Sequence, residues 1–393
     1  MNLKAFLAKI KYETAVFAVL LTQLAVRIDW SNPVDSKFFT FYLLDFKVGF
    51  VSQAFIGSIV SLLTDRPSAK WLTGFILISV MSAYFVLSLF LGRIIRKADS
   101  ETRNNVIFAA IVFLLTSFSV RVFPQYLGLP DIYLFLFTLL VLACIRNKAA
   151  KWFVPFLCFL GFMVHIEFAF TFLPLILLIL INNIFEEENK LKATILASAS
   201  FLSASASAVY FAVFANRHLR MDSSGVYAYL SSKTDIEVWK RYYEGHLFYT
   251  DTVSGQKFAG LLDSLKVFKE TGLESISASN YLTSFFMMLP LLLLFLYIWK
   301  NACIESSRKA EKFIFVLCAA LPVPVLPAFI FSTDMSRFLG EIFIVQFMAL
   351  FYMVFVKNQA VISSIKKVKI LFKIHPVFLM LFIIFSLSAF FAK

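Results

Sequence analysis

Long hydrophobic runs recur along the whole chain, and they constrain its fold more than any other feature. Hydrophobic residues fill 60% of the 393 positions, and the mean hydropathy is +0.82. No soluble core requires so much apolar surface, so the sequence predicts an all-α, polytopic transmembrane helical bundle. The run from Trp152 to Phe185 exceeds the roughly 20 residues that cross a membrane, and it contains no charged loop. We therefore expect two spans that meet near His165.

The same reasoning predicts about 11 spans in a single membrane domain, residues 1–393. The first span begins near Thr14 behind several lysines, with no clear cleavage site, so we expect it to be uncleaved. Basic residues concentrate in alternate connections, which predicts a cytoplasmic N-terminus in a bacterial plasma membrane. The predicted spans are about 14–26, 71–92, 105–120, 131–145, two within 152–185, 192–214, 281–299, 312–331, 337–356 and 375–391.

In the first extracytoplasmic loop, residues 27–70, three aspartates lie between the first hydrophobic run and a second, amphipathic one: Asp29, Asp35 and Asp45. Apolar residues from Val48 to Leu63 fall on one helical face, which predicts an amphipathic helix lying in the membrane interface. Asp45 directly precedes this helix, and partial desolvation there should raise its basicity, as a general base requires. Asp29 and Asp35 flank a stretch typical of turns, where aspartate bonds its own backbone. An ordinary polar loop is the alternative interpretation.

Other polar residues gather at the same predicted ends of the spans. His165 and Glu167 interrupt an apolar run, either as a hydrogen-bonded turn or as a pair in a substrate site. Arg337 follows Asp334 by three residues, so the two could form a local helix cap and ion pair, or Arg337 could grip a phosphate. Asp131 follows Pro130 and could be no more than a helix cap. Ionisable groups at a membrane edge are costly unless paired or functional, which favours one outward-facing cavity.

Charge and cysteine content exclude several classes of site. The net charge of +13 would suggest nucleic acid in a soluble protein, but in a membrane protein it fits basic cytoplasmic loops and anionic lipid headgroups. We expect membrane lipids and no nucleic acid as partners. The four cysteines show no metal-ligand spacing, and the histidines other than His165 are not placed to complete a zinc site. The large extracytoplasmic loop, residues 216–280, is predicted to hold short helices and many aromatic residues.

Four short motifs give the chain a resemblance to a known superfamily. They are LLDFKVGFVSQAFIG around Asp45, GLPD ending at Asp131, VHIE at 164–167 and DMSR at 334–337. With the predicted topology, the chain resembles the GT-C superfamily of integral-membrane glycosyltransferases and the related bacterial polysaccharide polymerases. Members have a long first outer loop with juxtamembrane helices and an acidic residue. The chain departs from this pattern where Gln53 replaces an expected basic residue, where its loop aspartates are spread out, and where no large soluble domain follows the membrane part.

The resemblance implies transfer of a sugar from a polyprenyl-phosphate-linked donor on the extracytoplasmic face, to a glycan or lipid-linked acceptor. Such transfer needs a carboxylate base for the acceptor hydroxyl and positive charge for the leaving phosphate. No cofactor is expected, although the acids could bind a divalent metal. Asp131, His165 and Glu167 would contact sugar hydroxyls or orient the base. The implied catalytic residues are Asp45, Glu167 and His165, and the implied substrate-binding residues are Arg121, Asp131, Asp334, Arg337 and Gln53.

Two other classes of protein would use the same residues. A transporter or flippase would use the buried ionisable groups as a path for substrate or protons. The predicted position of these groups at one membrane surface, and the absence of paired broken helices in the sequence, favour the glycosyltransferase. A membrane acyltransferase with His165 as its base is the third alternative.

The predicted orientation can be tested by cysteine accessibility. We expect a cysteine at Ser254, in the large extracytoplasmic loop, to react with a membrane-impermeant thiol reagent added to intact cells. The four natural cysteines lie in or beside hydrophobic runs, so the unmodified chain is the control. Labelling at position 254 only after permeabilisation would reverse the orientation and every site assignment that depends on it.

Overall fold

A computed structural model describes residues 10–116, 119–214, 218–239, 278–326 and 335–388. Within these ranges the secondary structure is helical, with no strand. The helices of the first half are α1 Lys11–Arg27, α2 Phe39–Leu43, α3 Ala54–Leu63, α4 Ala69–Lys97, α5 Ser100–Leu115, α6 Val122–Gln125, α7 Asp131–Cys144, α8 Val154–Val164, α9 Leu173–Glu186 and α10 Lys190–Val209. Those that follow are α11 Ser223–Ser232, α12 Ala278–Glu305, α13 Lys309–Ala320, α14 Met335–Phe355, α15 Gln359–Ile374 and α16 Pro376–Ser388.

Within the described residues, a helix overlaps each of the predicted spans. Four helical stretches in the described residues are long and apolar enough to cross a membrane by length and composition. The total number of spans stays a prediction. The four stretches are Ala69–Lys97, Ile166–Glu186, Met288–Glu305 and Arg337–Phe355.

Polar side chains in the connections fix where several helices begin. The hydroxyl of Ser68 accepts a hydrogen bond from the Trp71 amide at the start of α4. The carboxylate of Asp99 accepts one from the Thr102 amide at the start of α5, and Asp222 does the same for α11. These caps satisfy amide groups that have no partner inside the helix, so short polar residues mark helix starts in an otherwise apolar sequence.

The long apolar run divides where the sequence predicts. Helix α8 ends at Val164, and His165 takes an extended conformation with φ −160° and ψ 138°. A single 3-10 turn covers Ile166–Ala169 before α9 starts, with Pro174 in its first turn. The run therefore forms two helices that meet near His165, and whether both cross the membrane stays a prediction.

The first loop differs from its prediction. The helix expected over Val48–Leu63 covers only Ala54–Leu63, because Gln53 has a left-handed backbone with φ 75° and the preceding residues form turns. The amide of Gln53 donates a hydrogen bond to the Met163 carbonyl, 2.9 Å away, which ties this turn to the end of α8. Every residue of α2 is buried, and so is one face of α3. The loop thus folds as a helical hairpin packed into the protein.

Helix α14 lies at the centre of the bundle. In its most apolar stretch of 18 residues, within Arg337–Phe355, 94% of the residues are buried. It packs against α4, α6, α9, α12, α13 and α15. Any ionisable side chain on α14 is therefore shielded from solvent by protein on all sides.

One connection contains more helix than the sequence suggests, and the large loop contains a short helix as predicted. The basic stretch 357–374, expected to be a simple connection, forms α15, whose first turn is capped by Asn358. In the large loop, the described residues 218–239 include α11 and lie against the first loop, where the Arg220 amide bonds the Val48 carbonyl. The remainder of that loop, with Ser254, lies outside the described residues.

The hairpin between α2 and α3 depends on one glycine. A Cβ atom at Gly57 would stand 1.9 Å from the Leu44 carbonyl oxygen, so alanine cannot fit without separating the two segments. We expect Gly57→Ala to lower the free energy of unfolding by about 1–3 kcal/mol or more, as overpacking does. Thermal unfolding of the detergent-solubilised protein measures the change.

Gly74 in α4 provides the matched control, because a Cβ atom there would have nothing within 4 Å. Gly74→Ala should leave stability unchanged or raise it by up to about 1 kcal/mol through helix propensity. Equal stability of the two variants would contradict the close approach of Gly57 to Leu44.

Candidate functional site

One arginine joins two of the polar segments that the sequence places apart. Arg337 lies in the first turn of α14, and its side chain is 6% exposed. Its Nη2 donates to Glu167 Oε1 at 2.8 Å, and its Nη1 lies 3.5 Å from Asp131 Oδ2. Three elements therefore meet at one guanidinium: α14, the start of α7 and the turn before α9. Asp131 is in the first turn of α7 and takes part in this ion-pair cluster.

His165 completes the turn that presents Glu167. Its Nδ1 accepts a hydrogen bond from the Glu167 amide at 3.2 Å, so Nδ1 carries no proton. Burial, together with the nearby positive charge of Arg337, lowers the pKa of His165 to about 4. The imidazole is therefore neutral, and it fixes the conformation of the backbone on which Glu167 stands.

A second glutamate on α14 belongs to the same cluster and was missed from the sequence. Glu341 follows Arg337 by four residues and is 1% exposed. Asp131, Arg337 and Glu167 all act on it electrostatically. Its carboxyl group lies within hydrogen-bonding reach of the Asp131 carboxyl group. The signal was available, since an acid one turn after an arginine in an apolar helix is costly to bury.

Gln53 lies near this cluster through the hairpin of the first loop. It lines a small pocket together with Tyr42, Pro130, Tyr133 and Val164. Pro130 and Val164 directly precede Asp131 and His165 in the chain. The pocket therefore joins the first loop to the segments that carry two members of the cluster.

Asp45 is held in a different network. Its Oδ2 accepts hydrogen bonds from Ser61, Tyr229 and Lys233, at 2.8, 2.7 and 2.9 Å. Its Oδ1 accepts one from the Lys47 amide at 2.9 Å. Desolvation raises the pKa of Asp45, but the bonds from Lys233, Tyr229 and Ser61 outweigh it, so the pKa lies below its usual value. The expected rise in basicity is wrong, because the sequence gives no sign of donors so far along the chain.

Lys233 and Tyr229 are the partners that sequence reasoning did not find. The Lys233 ammonium also donates to the Leu43 carbonyl and to Ser61 Oγ, at 2.9 and 2.8 Å. These bonds hold α11 against the first loop. The role of Asp45 as catalytic base stays a prediction, but its geometry is that of a structural anchor.

The remaining predicted residues lie in other surroundings. Arg121 is buried just before α6, and burial lowers its pKa to about 10, with a further contribution from Arg27. The next residue, Val122 in α6, packs closely against Gly340 in α14: a Cβ atom added at Gly340 would lie 3.0 Å from the Val122 Cβ. Helix α6 therefore contacts α14 at the residue before Glu341. Asp334 lies outside the described residues. Among the residues that are described, no three His, Cys, Asp or Glu side chains are placed to hold a metal ion.

The anchoring role of Asp45 can be tested with a double-mutant cycle. Asp45→Asn leaves the buried Lys233 ammonium without its counter-charge, so we expect unfolding free energy to fall by about 3–5 kcal/mol. Asp45→Asn combined with Lys233→Met should cost less than the sum of the two single changes. Because the folded-state pKa of Asp45 is lowered, its contribution is present above the pKa of the unfolded state and is lost as the pH falls.

Asp235→Asn is the matched control, since Asp235 is fully exposed and lies 3.8 Å from the exposed Arg66. Its stability should equal that of the unmodified protein. Additive effects of the Asp45 and Lys233 substitutions would show that the two residues do not act as a pair.

Comparison of the chain with protein-family models, with curated proteins and with solved structures finds no match. The GT-C resemblance therefore stays a prediction from the sequence motifs. The described residues form a helical fold in which four stretches are able to span a membrane. This fold contains a buried ion-pair cluster centred on Arg337.

Proposed function

We propose that this chain is an integral-membrane glycosyltransferase or polysaccharide polymerase that uses a polyprenyl-phosphate-linked sugar on the extracytoplasmic face of the membrane. The proposal combines the sequence motifs with the chemistry of the Arg337 cluster. The acceptor is a glycan or a lipid-linked sugar. The cytoplasmic position of the N-terminus rests on the distribution of basic residues, and the bacterial plasma membrane rests on the resemblance.

The observation that carries the proposal is the asymmetry of the Glu167 carboxylate. Arg337 holds Oε1 at 2.8 Å, while Oε2 lies 3.4 Å from His165 Nδ1 and has no hydrogen-bond donor among the described residues. The side chain is 20% exposed, more than those of Arg337 and Asp131. A carboxylate fixed through one oxygen and available through the other suits a general base. Glu167 therefore replaces Asp45 as the preferred base.

The reaction requires little more than a base and positive charge. Glu167 Oε2 takes the proton from the acceptor hydroxyl, and the acceptor oxygen bonds to the anomeric carbon. The bond from that carbon to the phosphate oxygen breaks, and the polyprenyl phosphate leaves with the electron pair. Arg337 orients Glu167, and Arg121, with Arg27 as its cationic neighbour, supplies a positive field suited to a phosphate.

A proton-coupled transporter or flippase is the second candidate, and one observation favours it. Glu341 places a buried carboxyl group, beside that of Asp131, inside the most buried of the four apolar stretches. Intramembrane carboxyls of this kind often carry protons in transporters. In this class the Arg337 cluster would bind a substrate without breaking a covalent bond.

The test is transfer of radiolabelled sugar from a polyprenyl-phosphate donor in membranes that contain the protein. We expect label to appear in an acceptor, and Glu167→Gln to lower the rate by about 10²–10⁴, the usual contribution of a general base. Gln retains the size of the side chain and its hydrogen bond with Arg337 but cannot take the proton.

Glu188→Gln, at an exposed position after α9, is the control and should transfer label at the normal rate. Label that crosses the membrane without reaching an acceptor would support the transporter. Normal transfer by Glu167→Gln at normal membrane levels would exclude Glu167 as the base.

A further inference from the structure

A groove between α5 and α15 carries more positive charge than its own acid balances. Its cavity volume is about 420 Å³, within the range of roughly 300–1,000 Å³ that is typical of ligand pockets. Three lysines of α15 line the groove, and their spacing of three and four residues puts them on one face of the helix. These are Lys366, Lys369 and Lys373, and the acid that faces them from α5 is Glu101.

That acid is already used to join the two helices. Glu101 forms a salt bridge with Lys366, and this pair closes one end of the groove. Lys369 and Lys373 are exposed and form no ion pair within the described ranges of the chain. Their ammonium groups therefore give the groove a net positive charge, which a bound anion would neutralise.

The groove also contains a buried hydrogen-bonding group. Asn105 of α5 is 5% exposed and lines the groove, and its side-chain amide makes no hydrogen bond to any described residue. A buried polar group without a partner is costly, so such a group requires an explanation. A ligand with phosphate oxygens would accept the hydrogen bond that this amide can donate.

An apolar surface continues along α5 from the polar groove. Ile111 and Leu115 are both exposed, and they follow Asn104 in the groove wall by seven and eleven residues. This spacing places the three residues on one face of the helix. Ile370 of α15 is also exposed and lines the groove among the lysines. A ligand that covers the whole surface must therefore have an anionic end and a hydrocarbon part.

We propose that the groove between α5 and α15 binds one anionic phospholipid. Its phosphate lies at Lys369 and Lys373 and accepts a hydrogen bond from Asn105, while its acyl chains follow Ile111 and Leu115. Basic pockets between membrane helices are suited to such headgroups. The groove is on the predicted cytoplasmic side, opposite the proposed site of sugar transfer. The inference does not depend on that function, because none of these residues belongs to the Arg337 cluster.

Native mass spectrometry of the detergent-solubilised full-length protein tests the proposal by counting bound lipids. We expect one phosphatidylglycerol to bind. Phosphatidylcholine with the same acyl chains has no net charge and should bind about tenfold more weakly or less, since it lacks the attraction to the lysines. Lys369→Gln combined with Lys373→Gln should weaken phosphatidylglycerol binding by about 30-fold, because each lysine near an anionic lipid contributes roughly fivefold.

Lys190→Gln combined with Lys192→Gln is the matched control. It removes the same charge from two exposed lysines at the start of α10, outside the groove, so phosphatidylglycerol binding should be unchanged. Unchanged binding in the Lys369 and Lys373 double variant would overturn the proposal. An equal loss in the control would do the same, because net charge alone would then explain it.

Inorganic phosphate distinguishes a lipid site from a simple anion site. Added at the same concentration as phosphatidylglycerol, it should leave the lipid bound, because it has no hydrocarbon part to cover Ile111 and Leu115. Displacement of the lipid by phosphate would overturn the assignment to a phospholipid. Failure to detect sugar transfer would leave this result unaffected, so the two proposals fail separately.

Discussion

Burial of the Arg337 guanidinium is the constraint on which the rest of the cluster depends. An unpaired charge inside an apolar bundle is far more costly than one at a surface, so the carboxylates that balance it must be brought to it. They come from the turn before α9 and from the first turn of α7, 170 and 206 residues away in the chain. The positions of three helices are thereby set relative to one another by electrostatics as well as by packing.

The two buried acid networks differ in how completely they are satisfied. Asp45 accepts hydrogen bonds from four donors, and a buried network with all its partners satisfied fixes its side chains in one conformation. In the Arg337 cluster, Glu167 keeps one carboxyl oxygen without a donor among the described residues. Buried groups left unsatisfied in an otherwise well-bonded structure require an explanation, and a binding or catalytic role is the usual one. This contrast is why the proposed function involves the second network.

Features that depend on residues close together in the sequence could be predicted, whereas features that depend on distant residues could not. Helix positions and the break at His165 depend on hydrophobic runs and local turn residues, so they could be predicted. The short α3 could not, because the left-handed Gln53 is stabilised by a bond to Met163, 110 residues away. The environment of Asp45 depends on Lys233 in the same way. That His165, Glu167 and Arg337 meet was expected from a shared predicted membrane face; that Asp45 stands apart from them was not.

The pairing of Asp45 with Lys233 has a consequence for synthesis of the chain. The two residues are 188 positions apart, so the first loop emerges from the ribosome long before its counter-ion exists. At about 5–20 residues per second, the interval is roughly 10–40 s. During that time the aspartate must remain hydrated, and the α2–α3 hairpin cannot reach its buried position. The α2–α3 hairpin therefore stays in contact with water until Lys233 has been translated.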